Sequence, residues 1–225
     1  MWLTGAVRHR SMDNMTGNRH THANQHFVPA AGHDWLLPFY DPVWALLGGS
    51  SHLKAFVARA EIEPDHNVLE IGCGTGNLTL MLKRSHPEAR VVGLDPDPKA
   101  LARARAKAAR GALTIELDQG FSQELPYPDT SFDVVFSSFM FHHLDLPTKE
   151  ATLREVGRVL VPGGSLHLVD FGGPARLNRL FHSSRQLRDN AEDRVLTLMR
   201  EAGFGNAEAV QHRLLGGITQ YRACA

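Results

Sequence analysis

The stretch Val68-Leu69-Glu70-Ile71-Gly72-Cys73-Gly74-Thr75-Gly76-Asn77 constrains this chain more than any other. A short apolar run carrying one acid gives way to glycine at every second position, and a helical pattern follows over 78–84. That order describes a strand, a tight turn and a helix, the place where open α/β sheets hold nucleotide-like ligands. Glycine lets the backbone approach a ligand at distances that a Cβ would forbid. The pattern therefore predicts chemistry carried by a bound cofactor.

The centre of the chain alternates between strand and helix. Strands are expected at 68–71, 90–94, 113–117, 132–136 and 165–169, and helices at 78–84, 98–110 and 148–160. The unbroken Val134-Val135-Phe136 run suits a strand buried on both faces. Leu153, Val156 and Leu160 share one face of the last helix, which Pro162-Gly163-Gly164 is expected to end. Such alternation predicts a parallel sheet with helices on both sides. A further helix is expected over 191–202, ending at Gly203, and then two strands over 207–214 and 218–222. Their link, Leu215-Gly216-Gly217, is short enough to force an antiparallel pair.

The flanks read differently. Residues 1–33 are polar and rich in arginine and histidine without a period, and predict a disordered tail. Residues 34–61 hold the apolar block Trp35, Leu36, Leu37, Phe39, Tyr40, Val43, Trp44, Leu46 and Leu47. Asp41 and Pro42 suit the cap and first turn of a helix, and a second helix is expected from Ser50 or Ser51 to Ala60. This block serves either as core or as a lid over the cofactor mouth. Arg176, Arg179, Arg185 and Arg188 flank apolar residues late in the chain, and suit either an acceptor pocket or contact with lipid head groups.

Composition narrows the class. The chain has 225 residues, 43% of them apolar, enough for the core of one domain. Its 24 basic and 24 acidic side chains balance, which argues against a nucleic-acid partner. Lys99, Arg103, Lys107 and Arg110 recur on one helix face and are read as solvated. Cys73 and Cys224 are isolated thiols, which suit a reducing, cytoplasmic location. No apolar run reaches the length of a bilayer span, and no secretory apolar region opens the chain.

Two cofactor classes share the strand–turn–helix arrangement. Dinucleotide-binding dehydrogenases carry G-x-G-x-x-G, whose third glycine packs helix against strand beside a pyrophosphate. Here Gly72, Gly74 and Gly76 alternate, and Asn77 occupies the position of that third glycine. The departure favours a ligand without pyrophosphate. Asp95, at the end of the 90–94 strand and followed by Pro96, offers a carboxylate to ribose hydroxyls. It would do so for either cofactor, so a nicotinamide-linked oxidoreductase stays open at this point.

Taken in series, the motifs resemble class I S-adenosylmethionine-dependent methyltransferases. Residues 68–77 are similar to the first motif of that family, and Asp95 to its ribose-binding acid. Leu125-Pro126-Tyr127-Pro128-Asp129 with Ser131-Phe132-Asp133 resembles the approach to the fourth strand, and Phe141-His142-His143-Leu144 the segment after it. Arg158-Val159-Leu160-Val161-Pro162-Gly163-Gly164 resembles the family's R-x-L-x-P-G-G turn. The combination is most similar to small-molecule methyltransferases of the ubiquinone/menaquinone-biosynthesis type. The resemblance implies one Rossmann-like, doubly wound α/β domain over 34–225. Its seven-stranded sheet would be mostly parallel with an antiparallel last strand. The cofactor implied is S-adenosyl-L-methionine, with S-adenosyl-L-homocysteine as product. The implied cofactor-binding residues are Glu70, Gly72, Cys73, Gly74, Gly76, Asn77, Asp95, Pro96, Gly120, Phe121 and Ser137. Phe121 stands where family members often carry an aspartate for the adenine amino group, and Asp118 is a second possible acceptor.

In-line methyl transfer needs its two partners aligned, and that alignment supplies about 7–11 kcal/mol of the barrier. A positioned base adds about 10²–10⁴-fold, so a site without one is physically sensible. If a carbon or hydroxyl acid is methylated, His142, Tyr40 and His33 are the candidate bases. His142, His143 and Asp145 lack a further ligand cluster, and no metal is expected. Trp35, Phe39, Trp44, Phe139 and Phe141 suit a hydrophobic acceptor. A non-catalytic protein that binds S-adenosylmethionine for regulation is the alternative outside enzymology.

Overall fold

The computed structural model describes residues 49–171, 192–212 and 218–225. Helix α1 (Gly49–Val57) precedes strand β1 (Asn67–Ile71), helix α2 (Asn77–Ser85), strand β2 (Arg90–Asp95) and helix α3 (Pro98–Arg110). Strands β3 (Glu116–Gln119) and β4 (Phe132–Ser138) follow, then a 3₁₀ turn (Phe141–His143) and helix α4 (Leu146–Val159). The chain continues through β5 (Leu160–Phe171), α5 (Glu192–Glu201), β6 (Gly205–His212) and β7 (Ile218–Cys224).

These strands form one sheet in the order β3-β2-β1-β4-β5-β7-β6. β1 pairs in parallel with both β2 and β4, β2 with β3, and β4 with β5. β7 pairs antiparallel with β5 and with β6, so it alone runs against the rest. The seven-stranded, mostly parallel sheet with a reversed last strand matches the expectation. The strand order turns back between β1 and β4, which opens a crevice beyond their carboxyl ends.

Alternation along the strands divides the core into two layers. Leu69, Ile71, Val92, Leu94 and Val135 pack with Leu153 and Val156 of α4 and with Leu198 and Met199 of α5. Val68, Val91, Val134 and Phe136 pack with Leu53 and Phe56 of α1 and with Leu78 and Leu82 of α2. A strand with apolar side chains on both faces needs helices on both. Phe56 meets Phe136 edge-on at 5.4 Å between ring centres, which fixes α1 on the second layer.

Helix starts follow the side chains at their caps. Asp97 accepts a hydrogen bond from the Lys99 N–H at 2.8 Å, with Pro98 opening α3. Asp145 accepts from the Thr148 N–H at 3.0 Å, so α4 begins at Leu146, two residues before its expected start. β3 begins at Glu116 rather than 113. Gly111 and Ala112 close α3 with a turn in which Ala112 has φ 49°, and the Leu113 N–H still bonds the Ala108 carbonyl. The strand is delayed by that turn. β5 starts immediately after α4 and absorbs Pro162-Gly163-Gly164 as an irregularity, where its register steps from Phe132↔Leu160 to Val134↔Ser165.

The tail at 1–33, the candidate bases His33 and Tyr40, the first expected helix, the aromatics Trp35, Phe39 and Trp44, and the arginine-rich stretch at 176–188 lie outside the described residues.

Candidate functional site

The glycine turn hangs from the end of β2. The Gly72 and Cys73 N–H groups both donate to the Leu94 carbonyl, at 2.8 and 3.0 Å, and the Gly76 N–H donates to the Cys73 carbonyl at 2.8 Å. Asp95 finishes the attachment. Its Oδ2 accepts from the Gly74 N–H at 2.7 Å and its Oδ1 from the Asp97 N–H at 2.9 Å. A carboxylate has about four acceptor positions, so two remain for a ligand. Burial raises the pKa of Asp95 above its ordinary value, and the two N–H donors oppose that shift.

Gly72 and Gly74 are glycine for different reasons. Gly72 has φ +69°, and a Cβ there would lie 2.3 Å from Met140 Cγ. Gly74 has φ +52°, and a Cβ there would meet no protein atom within 4 Å. Packing excludes a side chain at the first position, while the second faces open space. Gly76 is the N-cap of α2 in the left-handed conformation and contributes no side-chain cap.

Glu70 braces the turn from below. It is buried, accepting from Thr79 Oγ1 of α2 and, at 2.9 Å, from Ser138 Oγ at the end of β4. Burial pushes its pKa up to about 7, against the pull of those two hydroxyls. Cys73 is buried with its thiol pKa raised well above normal by desolvation, which makes it a packing group and a poor nucleophile. Asn77 is the first residue of α2, and its Oδ1 accepts from Lys107 Nζ at 2.9 Å. Lys107 also donates to Thr75 Oγ1 at 2.9 Å, so this member of the basic stripe braces the glycine turn.

Pro96 and Gly120 are brought together: the Gly120 N–H donates to the Asp95 carbonyl at 3.2 Å, and Gln119 Nε2 to the Pro96 carbonyl at 3.1 Å. Phe121 follows directly, half-buried. Asp118, the second candidate for adenine, has its Oδ2 bonded by the Tyr127 hydroxyl at 3.0 Å. Ser137 is fully buried, and its hydroxyl has no partner among the described residues.

Beyond β4 the chain turns sharply, with Phe139 at φ 52°. The His142 N–H donates to Asp170 Oδ2 at 2.9 Å, and His142 Nδ1 lies 2.6 Å from Asp170 Oδ1. Asp170 is wholly buried on β5, while the His142 side chain keeps 15% exposure. The His143 ring centre is 4.0 Å from that of His142, and burial lowers the His143 pKa to about 4. Phe171 meets His142 edge-on at 5.1 Å and Phe139 at 5.2 Å. Sequence reasoning missed Asp170. An acid at the carboxyl end of a core strand, the argument that singled out Asp95, was its available signal.

The two remaining motifs meet each other. Arg158 donates to the carbonyls of Leu125 and Tyr127, to Asp129 and to Glu155. Glu155 in turn accepts from the Leu125 N–H at 2.8 Å. Both motifs act there as one scaffold clamp. Among the described residues, no group of three or more His, Cys, Asp or Glu side chains is arranged to hold a metal ion.

Comparison with known proteins agrees with this arrangement. The family described as "Methyltransferase domain" matches residues 68–164. The chain is 39% identical over 122 residues to a demethylmenaquinone methyltransferase of Deinococcus radiodurans, covering 54% of this chain and 50% of that protein. It is 36% identical over 144 residues to a protein of the same name from Thermus thermophilus, covering 63% and 64%. The chain thus spans between half and two thirds of the length of these curated relatives. A SAM-dependent methyltransferase from Aquifex aeolicus shares the fold, with a TM-score of 0.62, 22% identity and coverage of 77% of this chain and 87% of that one. Residues 68–164 are thus similar to a methyltransferase domain, and the sheet that carries them shares its fold with S-adenosylmethionine-dependent methyltransferases of solved structure.

Proposed function

We propose that the protein transfers the methyl group of S-adenosylmethionine to a small, apolar, planar acceptor. One observation carries the reading: Gly74 is locked at positive φ by Asp95, yet the side of its Cα where a Cβ would stand is empty of protein. The backbone is held in a left-handed conformation that glycine adopts readily and other residues do not, beside unfilled space, as suits a ligand cradle. The residues present fit the cofactor. Gly72, Gly74 and Gly76 with Cys73 would line its methionine part, and Glu70 would brace the turn from beneath. Asp95 has acceptor positions left for the ribose, and Pro96, Gly120 and Phe121 would flank the adenine. Ser137 contributes an unspent hydroxyl at the crevice end of β4.

S-adenosylmethionine would supply a methyl group on a positively charged sulfur. What the chain supplies is position. The switch point between β1 and β4, with the Phe139 and Phe171 rings in contact beyond β4, supports a donor cradle next to an aromatic rim. Holding donor and acceptor in line supplies about 7–11 kcal/mol of the barrier. The relatives named demethylmenaquinone methyltransferase support an acceptor of quinone type. The balanced charge supports a small molecule over nucleic acid. Two free cysteines support a cytoplasmic location, and no helix among the described residues is long and apolar enough to cross a membrane.

Calorimetry with S-adenosylmethionine and S-adenosylhomocysteine tests the cofactor. Incubation with methyl-labelled cofactor and a host metabolite extract, followed by mass spectrometry, tests the transfer. Binding of NADH with no heat from either adenosyl compound would overturn the reading.

A further inference from the structure

His142 and Asp170 form a unit that cofactor binding does not explain. Asp170 is wholly buried and meets His142 twice, through Oδ2 on the His142 backbone N–H and Oδ1 on the His142 ring, while Oδ1 also accepts from the Phe171 N–H at 2.6 Å. A two-point grip of this kind fixes the ring's place and its tautomer. With a carboxylate at Nδ1, the neutral imidazole carries its proton on Nδ1, and the lone pair is left on Nε2. No described residue bonds Nε2, and the ring retains 15% exposure at the rim of the crevice. Phe171 holds it edge-on, and the His143 ring lies tilted beside it. Among the described residues, the charged and titratable groups against the ring are Asp170 from β5 and His143 from its own turn.

We propose that His142 is the general base of the reaction, that Asp170 is its positioning residue, and that the acceptor is a phenol or enol whose hydroxyl must lose a proton before methylation. The inference rests on the methyltransferase reading and names its substrate class. Nε2 takes the proton from the acceptor hydroxyl, and the electron pair left behind resides on oxygen or on a conjugated ring carbon. That pair forms the new bond to the methyl carbon. The pair of the broken carbon–sulfur bond remains on sulfur and cancels its positive charge. Attack from ring carbon is completed when that carbon releases its own proton to solvent and the ring regains aromaticity. Asp170 balances the imidazolium until its proton leaves to solvent.

The test uses two naphthalene probes under anaerobic conditions. 1,4-Dihydroxynaphthalene must be deprotonated to react, whereas 2-naphthalenethiol is already largely ionised at pH 8 and needs no base. His142→Gln is expected to slow methylation of the diol by about 100-fold or more and to leave the thiol within about threefold of its original rate. S-adenosylhomocysteine binding should be unchanged by calorimetry. Two-bond ¹H–¹⁵N spectra of histidine-labelled protein should show His142 protonated on Nδ1. In Asp170→Asn the side chain is neutral and no longer balances the imidazolium, so the diol reaction should slow by at least tenfold. An Nε2–H tautomer in the unmodified protein, equal loss of both reactions in His142→Gln, or an undiminished diol reaction would each overturn the proposal. Failure of the methyltransferase reading is seen separately, as absence of heat on titration with S-adenosylhomocysteine, because the tautomer is read without any ligand.

Discussion

The Gly74 N–H donates to Asp95 Oδ2 over 2.7 Å, and this bond joins the glycine turn after β1 to the end of β2. One carboxylate therefore shapes the glycine turn, and in the proposed reading it is also the acceptor for the ribose. Asp95→Ala removes the bonds to Gly74 and Asp97 together. Each bond of an N–H to a charged acceptor contributes about 1.5–3 kcal/mol. Urea unfolding should report a loss of about 2 kcal/mol or more. Calorimetry should report S-adenosylhomocysteine affinity weakened by at least about tenfold, a loss of about 1.4 kcal/mol.

Gly72 and Gly74 predict opposite outcomes for the same substitution. In Gly72→Ala the new methyl would meet Met140 at the heart of the turn, so thermal unfolding should show a large loss of stability. In Gly74→Ala it would meet no protein atom, and only the left-handed backbone would cost about 1–2 kcal/mol. The second variant should remain folded by circular dichroism and yet fail to bind S-adenosylhomocysteine. A Gly74→Ala protein that binds it normally would remove the main support for the cradle.

Glu70 predicts a pH dependence of stability. Its folded pKa, about 7, lies above its ordinary 4.5. Below pH 4.5 both folded and unfolded chains keep the proton, and this group adds no slope. Between 4.5 and 7 the unfolded chain gives up its proton while the folded chain holds it, so stability falls as pH rises, by about 3 kcal/mol at most. Above 7 the contribution levels off. Glu70→Gln can still bond both Thr79 and Ser138 and carries no titratable group. On going from pH 5 to pH 7.5 the urea midpoint should therefore fall less, or rise more, in the variant than in the unmodified protein, whatever slope His143 and the other titrating groups add.

Arg158 predicts a stability effect without a binding effect. It holds the Leu125–Asp129 turn through two carbonyls and Asp129, and it is steadied by Glu155. Arg158→Ala should lower stability by about 2–3 kcal/mol, in the range for loss of charge-assisted hydrogen bonds. Affinity for S-adenosylhomocysteine should stay within about threefold. A Lys at this position cannot reproduce the planar fork and should recover less than half of the loss.

The sheet was legible in the sequence because its signals are local. Apolar runs and the glycine turn each declare an element within a few residues, whereas the cap at Asp145 was not read and α4 starts two residues earlier than expected. β3 was displaced because it is a short edge strand without a fully buried residue, so its hydrophobic signal is weak. Ile115, the residue that suggested its centre, packs against the core just outside the strand. At the site, Asp95 was legible from its place at the end of a strand. Asp170 holds the equivalent place on β5, but its partner His142 lies 28 residues earlier in the chain. No local period reports such a pairing. The Leu125–Asp129 and Arg158–Gly164 motifs were legible as family signatures, and only three-dimensional contact reveals that they clasp each other.

β7 lies between β5 and β6, although it is made after both. As the polypeptide emerges from the ribosome, β5 can join β4 at once, but its other edge must wait for residues 218–224. An apolar strand left bare on one side is a template for unwanted pairing. The strand that delivers Asp170 is therefore among the last to be sealed. Stalled or shortened translation products should be prone to aggregate with their donor half already formed.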